Sequence, residues 1–129
     1  DDSGVDYMVL TVETLCVVDI DIKPGSDPNS INTRSNGTIP VAILSTGDFD
    51  APNEVDKTSL TFGRTGDEPS LAKCTKSNED VNRDGLLDIV CHFKTQDTGF
   101  QVGDTEGILK GLTVDGVHIE GRDSVRIVR

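Results

Sequence analysis

Between residues 80 and 88 the chain reads Asp80-Val81-Asn82-Arg83-Asp84-Gly85-Leu86-Leu87-Asp88. Alternate residues of a tight loop point inward, so Asp80, Asn82, Asp84 and Asp88 bring carboxylate and amide oxygens to one centre, and the Leu86 carbonyl can add another. A hard cation of calcium size takes about six to eight such oxygens at ~2.3–2.6 Å. Gly85 permits the sharp turn the loop needs. Converging acids without a cation repel one another, so the spacing predicts a structural Ca²⁺ site that pins a long connection with few apolar anchors. Mg²⁺ fits less well, because it prefers fewer protein ligands and strict octahedral geometry. The plainer alternative is an Asp/Asn-rich turn that holds no metal.

The other reactive residues are few. Cys74 and Cys91 bracket this loop, and a bridge between them would close 18 residues and add on the order of 3 kcal/mol through the unfolded state. Cys16 is left over and sits on the apolar parity of its strand, which predicts a buried free thiol. Asn36-Gly37-Thr38 is the one N-x-[ST] sequon, making Asn36 a candidate glycosylation acceptor; the same dipeptide also reads as a turn. His92 and His118 have neither nucleophile nor zinc-ligand spacing and read as strand residues. The many Asp residues fall at turns, so no carboxylate pair for glycoside hydrolysis emerges, and no enzymatic activity is expected.

The elements that must position the loop are strands. Val, Ile and Thr number 36 against 12 Ala and Leu, and Asp outnumbers Glu 17 to 6, a balance of pleat-fitting and turn-forming residues over helix formers. Leu, Ile, Val and Phe total 36 of 129 residues, enough for a core, and the length suits one domain. A net charge of −11 argues against nucleic acid and against an anionic membrane surface. No apolar run approaches the ~20 residues that span a bilayer, so no membrane insertion is expected. The opening Asp1-Asp2-Ser3-Gly4 reads as a mature N-terminus after signal-peptide removal.

Apolar alternation predicts a strand over 15–22, a buried central strand over Ile39–Thr46, and strands over 59–62, 86–94, 107–114, 117–120 and 124–128, with turns at Asp115-Gly116 and Gly121-Arg122-Asp123. A short helix could lie in 54–60 or 68–73. The fold class is all-β: an immunoglobulin-like antiparallel two-sheet sandwich over residues 15–129, with a calcium loop and an extended N-terminal strand over residues 1–14.

That N-terminal segment is the unusual part. The even stripe Met8, Leu10, Val12, Thr14, Cys16, Val18, Ile20, Ile22 continues through both regions, and fifteen extended residues span ~50 Å, more than twice an ordinary strand. Residues 5–12 (VDYMVLTV) are apolar on both parities. They either fold back on their own domain or are donated to a neighbouring copy. In the second case Met8, Leu10 and Val12 are the buried knobs, with Tyr7 and Val9 on the other face. Head-to-tail donation propagates into a filament unless it closes into a ring.

The strings VDIDIKPGSDPNSIN (18–32), IPVAILST (39–46), EDVNRDGLLDIVCHF (79–93) and DSVRIV (123–128) resemble a domain that recurs in secreted bacterial and archaeal proteins. The loop itself follows the first three-quarters of an EF-hand loop but carries Cys91 where an EF-hand has its bidentate Glu. With a strand following, it is similar to the DxNxDGxxD loops of dockerins, thrombospondin repeats and integrin-type propellers. The resemblance implies an extracellular β-sandwich with calcium at Asp80, Asn82, Asp84 and Asp88, and no catalysis. The expectation is a secreted structural protein, a fibre subunit whose main partner is itself. The alternative is a calcium-dependent adhesion, spacer or carbohydrate-binding module. Glycans are possible partners, although the chain has no Trp and one Tyr to stack on sugars.

Overall fold

The computed structural model describes residues 15–129. The apolar segment Tyr7, Met8, Val9, Leu10 and Val12 therefore lies outside the described residues. Ten strands are found among those described, and they form two four-stranded sheets and one small ribbon. The strands are β1 (Leu15–Val17), β2 (Asp19–Ile22), β3 (Ser30–Asn32), β4 (Thr38–Leu44), β5 (Val55–Gly63), β6 (Leu71–Cys74), β7 (Ile89–Lys94), β8 (Glu106–Thr113), β9 (His118–Ser124) and β10 (Arg126–Val128). One sheet runs β1-β9-β8-β5, the other β2-β4-β7-β6, and β10 pairs with β3.

The sheets pack against each other to form an all-β sandwich. β4, with its nearly continuous apolar run, lies between β2 and β7, and Val41 and Ile43 are fully buried. Ile22, Ile89, Cys91 and Phe93 join them from one sheet; Phe62, Leu109 and Ile119 face them from the other. The Phe62 and Phe93 rings lie 5.1 Å apart between centroids, and Phe100 meets Phe62 edge-on at 5.8 Å. Burial on this scale stabilises each large side chain by about 1.5–3 kcal/mol.

The segment 15–22 is two strands, not one. β1 and β2 belong to different sheets, and Val18 sits at the crossing with its N–H donated to the Glu120 carbonyl at 2.9 Å. The alternation survives the switch. Val18, Ile20 and Ile22 are buried and Cys16 is partly buried, while Leu15 and Val17 are exposed by 52% and 76%. Gly121 makes the crossing possible. A Cβ there would lie 2.7 Å from Ile20 Cγ2 and 2.9 Å from the Val18 carbonyl oxygen. The Gly121-Arg122-Asp123 turn expected from sequence is thus strand, because this glycine serves close backbone approach rather than a bend.

Other boundaries shift for local reasons. The strand expected from 86 starts only at Ile89, since Leu86 and Leu87 remain in the acidic loop. The region 55–60, expected to be part of a helix, is strand. Among the described residues the short helix α1 (Ala51–Glu54) has Pro52 in its first turn, where a missing N–H does no harm, and a 3-10 turn covers Thr95–Asp97. Residues 68–73 contain no helix either; β6 begins there. Two short pairings, β1 with β9 and β3 with β10, are parallel and supplement an otherwise antiparallel frame.

Candidate metal centre

The acidic loop hangs between β6 and β7 and is closed at its base in three steps. Cys74 and Cys91 are direct cross-strand partners joined by a disulfide. The Thr75 N–H donates to the Val90 carbonyl at 2.9 Å. Glu79 and Asp88 then exchange backbone hydrogen bonds of 3.1 and 2.6 Å. A covalent bond and a backbone ladder thus fix the two ends of the Asp80–Asp88 segment.

Inside, the carboxylates organise the turn. Asp80 accepts from the N–H groups of Asp84 (3.1 Å) and Gly85 (2.8 Å), and Asp84 Oδ1 accepts from the Leu86 N–H at 2.9 Å. Arg83 and Gly85 take left-handed backbone angles, φ 60° and 87°, which glycine adopts freely and arginine does not. Asp88 is fully buried; its oxygens accept from the N–H groups of Ser45 (2.8 Å) and Val81 (2.9 Å).

The predicted ligands converge. One carboxylate oxygen from each of Asp80, Asp84 and Asp88 lies within 4.8 Å of the others. Asn82 projects from the same turn with its amide oxygen 3.1 Å from Asp84 Oδ1 and 3.3 Å from Asp80 Oδ1; exchanging the amide oxygen and nitrogen would turn both contacts into hydrogen bonds. Leu86, assigned a carbonyl ligand from sequence, is exposed at the loop tip. Oxygen donors of this kind suit a hard divalent cation.

Ser45 is the residue that sequence reasoning missed. Buried at the end of β4, it gives its N–H to Asp88, donates Oγ–H to the Leu87 carbonyl at 2.7 Å, and accepts from the Ala51 N–H at 2.9 Å. It ties the acidic loop to β4 and α1. The only local hint was a polar pair, Ser45-Thr46, ending an apolar run. Beside it, a groove of about 560 Å³ runs between residues 45–54 and the loop tip, with Phe49, Pro52, Leu86 and Leu87 on its walls.

The remaining candidates are dispersed. Asn36 is exposed in the β3–β4 connection. Cys16 is free and only partly buried. His92 is half-buried, with Nδ1 3.5 Å from the Thr38 hydroxyl, and His118 opens β9 on the far sheet. No helix among the described residues is long and apolar enough to cross a membrane, and the disulfide is compatible with an oxidising compartment. No family model, curated protein or solved structure matches the chain.

Proposed function

We propose that this chain is a non-enzymatic, extracellular structural module: a fibre subunit that donates its apolar N-terminal strand to a neighbouring copy and is braced by Ca²⁺ in the 80–88 loop. The observation that carries the assembly reading is the position of β1. Among the described residues it is an edge strand, it presents Leu15 and Val17 to solvent, and only Glu13 and Thr14 separate it from the apolar residues 5–12. Edge strands with apolar faces pair readily with other chains, and donation covers them.

The calcium reading is supported by the convergence of carboxylate oxygens in the loop. One carboxylate oxygen from each of Asp80, Asp84 and Asp88 lies within 4.8 Å of the others, and the Asn82 side chain reaches Asp80 and Asp84 from the same turn. A cation at that point relieves the repulsion. Asp80, Asn82, Asp84 and Asp88 would hold it, and it would lock the loop against Ser45. The resemblance to secreted bacterial and archaeal modules covers residues 18–128 and supports the extracellular and calcium parts of this reading.

Deletion of residues 1–13 tests the assembly. The full chain is expected to form fibres in negative-stain images, and the shortened chain is expected to remain folded and monomeric. Fibres that persist after the deletion reject strand donation. For the metal, chelation with EDTA is expected to lower the melting midpoint, and an unchanged midpoint rejects a structural ion.

A further inference from the structure

At three places an Asn or Asp directly precedes glycine: Asn36-Gly37, Asp84-Gly85 and Asp115-Gly116. The side chain of such a pair can reach the next backbone nitrogen, because glycine has no Cβ to crowd the approach. The fold treats the three pairs differently. The Gly85 N–H is held by the Asp80 carboxylate at 2.8 Å, and the Gly116 N–H by the Thr113 carbonyl at 2.9 Å. The Gly37 N–H meets only the Ser35 hydroxyl, at 3.0 Å. Asn36 and Gly37 are both exposed.

The flanks of this pair are pinned, whereas Asn36 is not. Gln96 Nε2 donates to the Thr33 and Ser35 carbonyls, and the Thr95 N–H donates to the Gly37 carbonyl at 3.1 Å. Thr38 then opens β4 opposite Lys94. Between these anchors Asn36 makes no hydrogen bond through backbone or side chain among the described residues. The other asparagines are placed otherwise. Asn29 is buried and donates to Asp123 and to the Ser124 carbonyl, and Asn53 donates to Asp50 within α1. Asn29, Asn32, Asn53, Asn78 and Asn82 are each followed by a residue with a side chain.

We propose that Asn36 is a self-modification site, at which the Gly37 backbone nitrogen expels the side-chain amide. That nitrogen gives its proton to hydroxide from solvent and bonds to Asn36 Cγ. The Cγ–Nδ2 bond breaks, and Nδ2 leaves as ammonia with a proton from water. Water then opens the five-membered imide, at the Cγ bond to give aspartate or at the backbone carbonyl to give isoaspartate. Isoaspartate adds one carbon to the main chain just before β4, which draws the Gly37 carbonyl away from the Thr95 N–H. The expelled nitrogen is also the one that the Asn36-Gly37-Thr38 sequon offers to a glycan, so a chain that has reacted can no longer be glycosylated there.

The test compares native and urea-unfolded chains incubated in mildly alkaline buffer and mapped by peptide mass spectrometry. Conversion of Asn36 in the native chain is expected within about threefold of its rate in the unfolded chain, since only a hydroxyl engages the attacking nitrogen, whereas Asp84 and Asp115 are expected to isomerise only after unfolding. Gly37→Ala is expected to slow the native reaction roughly tenfold or more. Gly37 has no left-handed φ, and a Cβ there would meet only Ser35 Oγ, at 3.3 Å, so this variant is expected to keep its melting midpoint. An Asn36 that stays intact in the native chain would overturn the proposal, as would undiminished conversion in Gly37→Ala. In the isolated isoaspartate form, hydrogen exchange at the Thr95 amide is expected to rise; unchanged exchange there would reject the link to β4.

Discussion

Ser45 and Asp88 stand 43 residues apart in the chain and share one buried polar junction. Asp88 uses both oxygens, one for Ser45 and one for Val81, so its removal orphans two N–H groups, each worth about 1–3 kcal/mol when buried. Asp88→Ala is expected to destabilise the protein by about 2–4 kcal/mol in urea unfolding, and Asp88→Asn by roughly half of that, since one amide oxygen can still accept. A change below about 0.5 kcal/mol for the alanine variant would remove Asp88 from this role. Asp21 behaves in the opposite way. Burial first, and then the nearby Asp123 carboxylate, push its pKa above the ordinary value. A raised folded-state pKa means that its stabilising contribution is complete at acid pH and is lost as the pH rises through that pKa. Asp21→Asn is therefore expected to raise the melting temperature at pH 7, with the gain shrinking to nothing as the pH falls below about 4. A gain that is independent of pH would point to packing instead. The acidic loop itself was legible from residue spacing, because ligand periodicity is local. Ser45 was not, since its partner is set by how β4 and β7 stack.

At the scale of elements, the Gly121 crossing and the closed loop are the parts most exposed to test. Gly121→Ala would drive a methyl against Ile20 and the Val18 carbonyl, and the backbone atom cannot move aside. A loss of about 2–3 kcal/mol is expected; a neutral result would mean that the β1–β2 switch is looser than described. The paired replacement Cys74→Ser/Cys91→Ser opens the base of the loop and is expected to cost about 3 kcal/mol, with weaker calcium binding in titration calorimetry. Unchanged affinity would show that the backbone ladder alone shapes the site. Apolar alternation correctly located β4 and the inward stripe Val18, Ile20, Ile22, because period two reports the buried face directly. It missed the switch between sheets, since alternation does not say which partner a strand has. It also read Gly121 as a turn, because close approach and positive φ leave the same residue in the sequence. Leu86 and Leu87 looked like the start of β7 on hydropathy alone, but Asp88 is anchored to Ser45 and holds them out in the loop.

At the scale of the whole molecule, β1 lies at the edge of its sheet among the described residues, and the sequence shortly before it, residues 5–12, is apolar on both parities. Strand donation between copies is the assembly we propose for such a molecule. The central claim is that residues 5–12 are covered by another copy, and hydrogen–deuterium exchange measured across a range of protein concentrations tests it most directly. Strand donation predicts amides of residues 5–12 that exchange freely in dilute solution and become protected as fibres form. Protection of residues 5–12 that is already complete in the monomer and does not change with concentration would contradict the account.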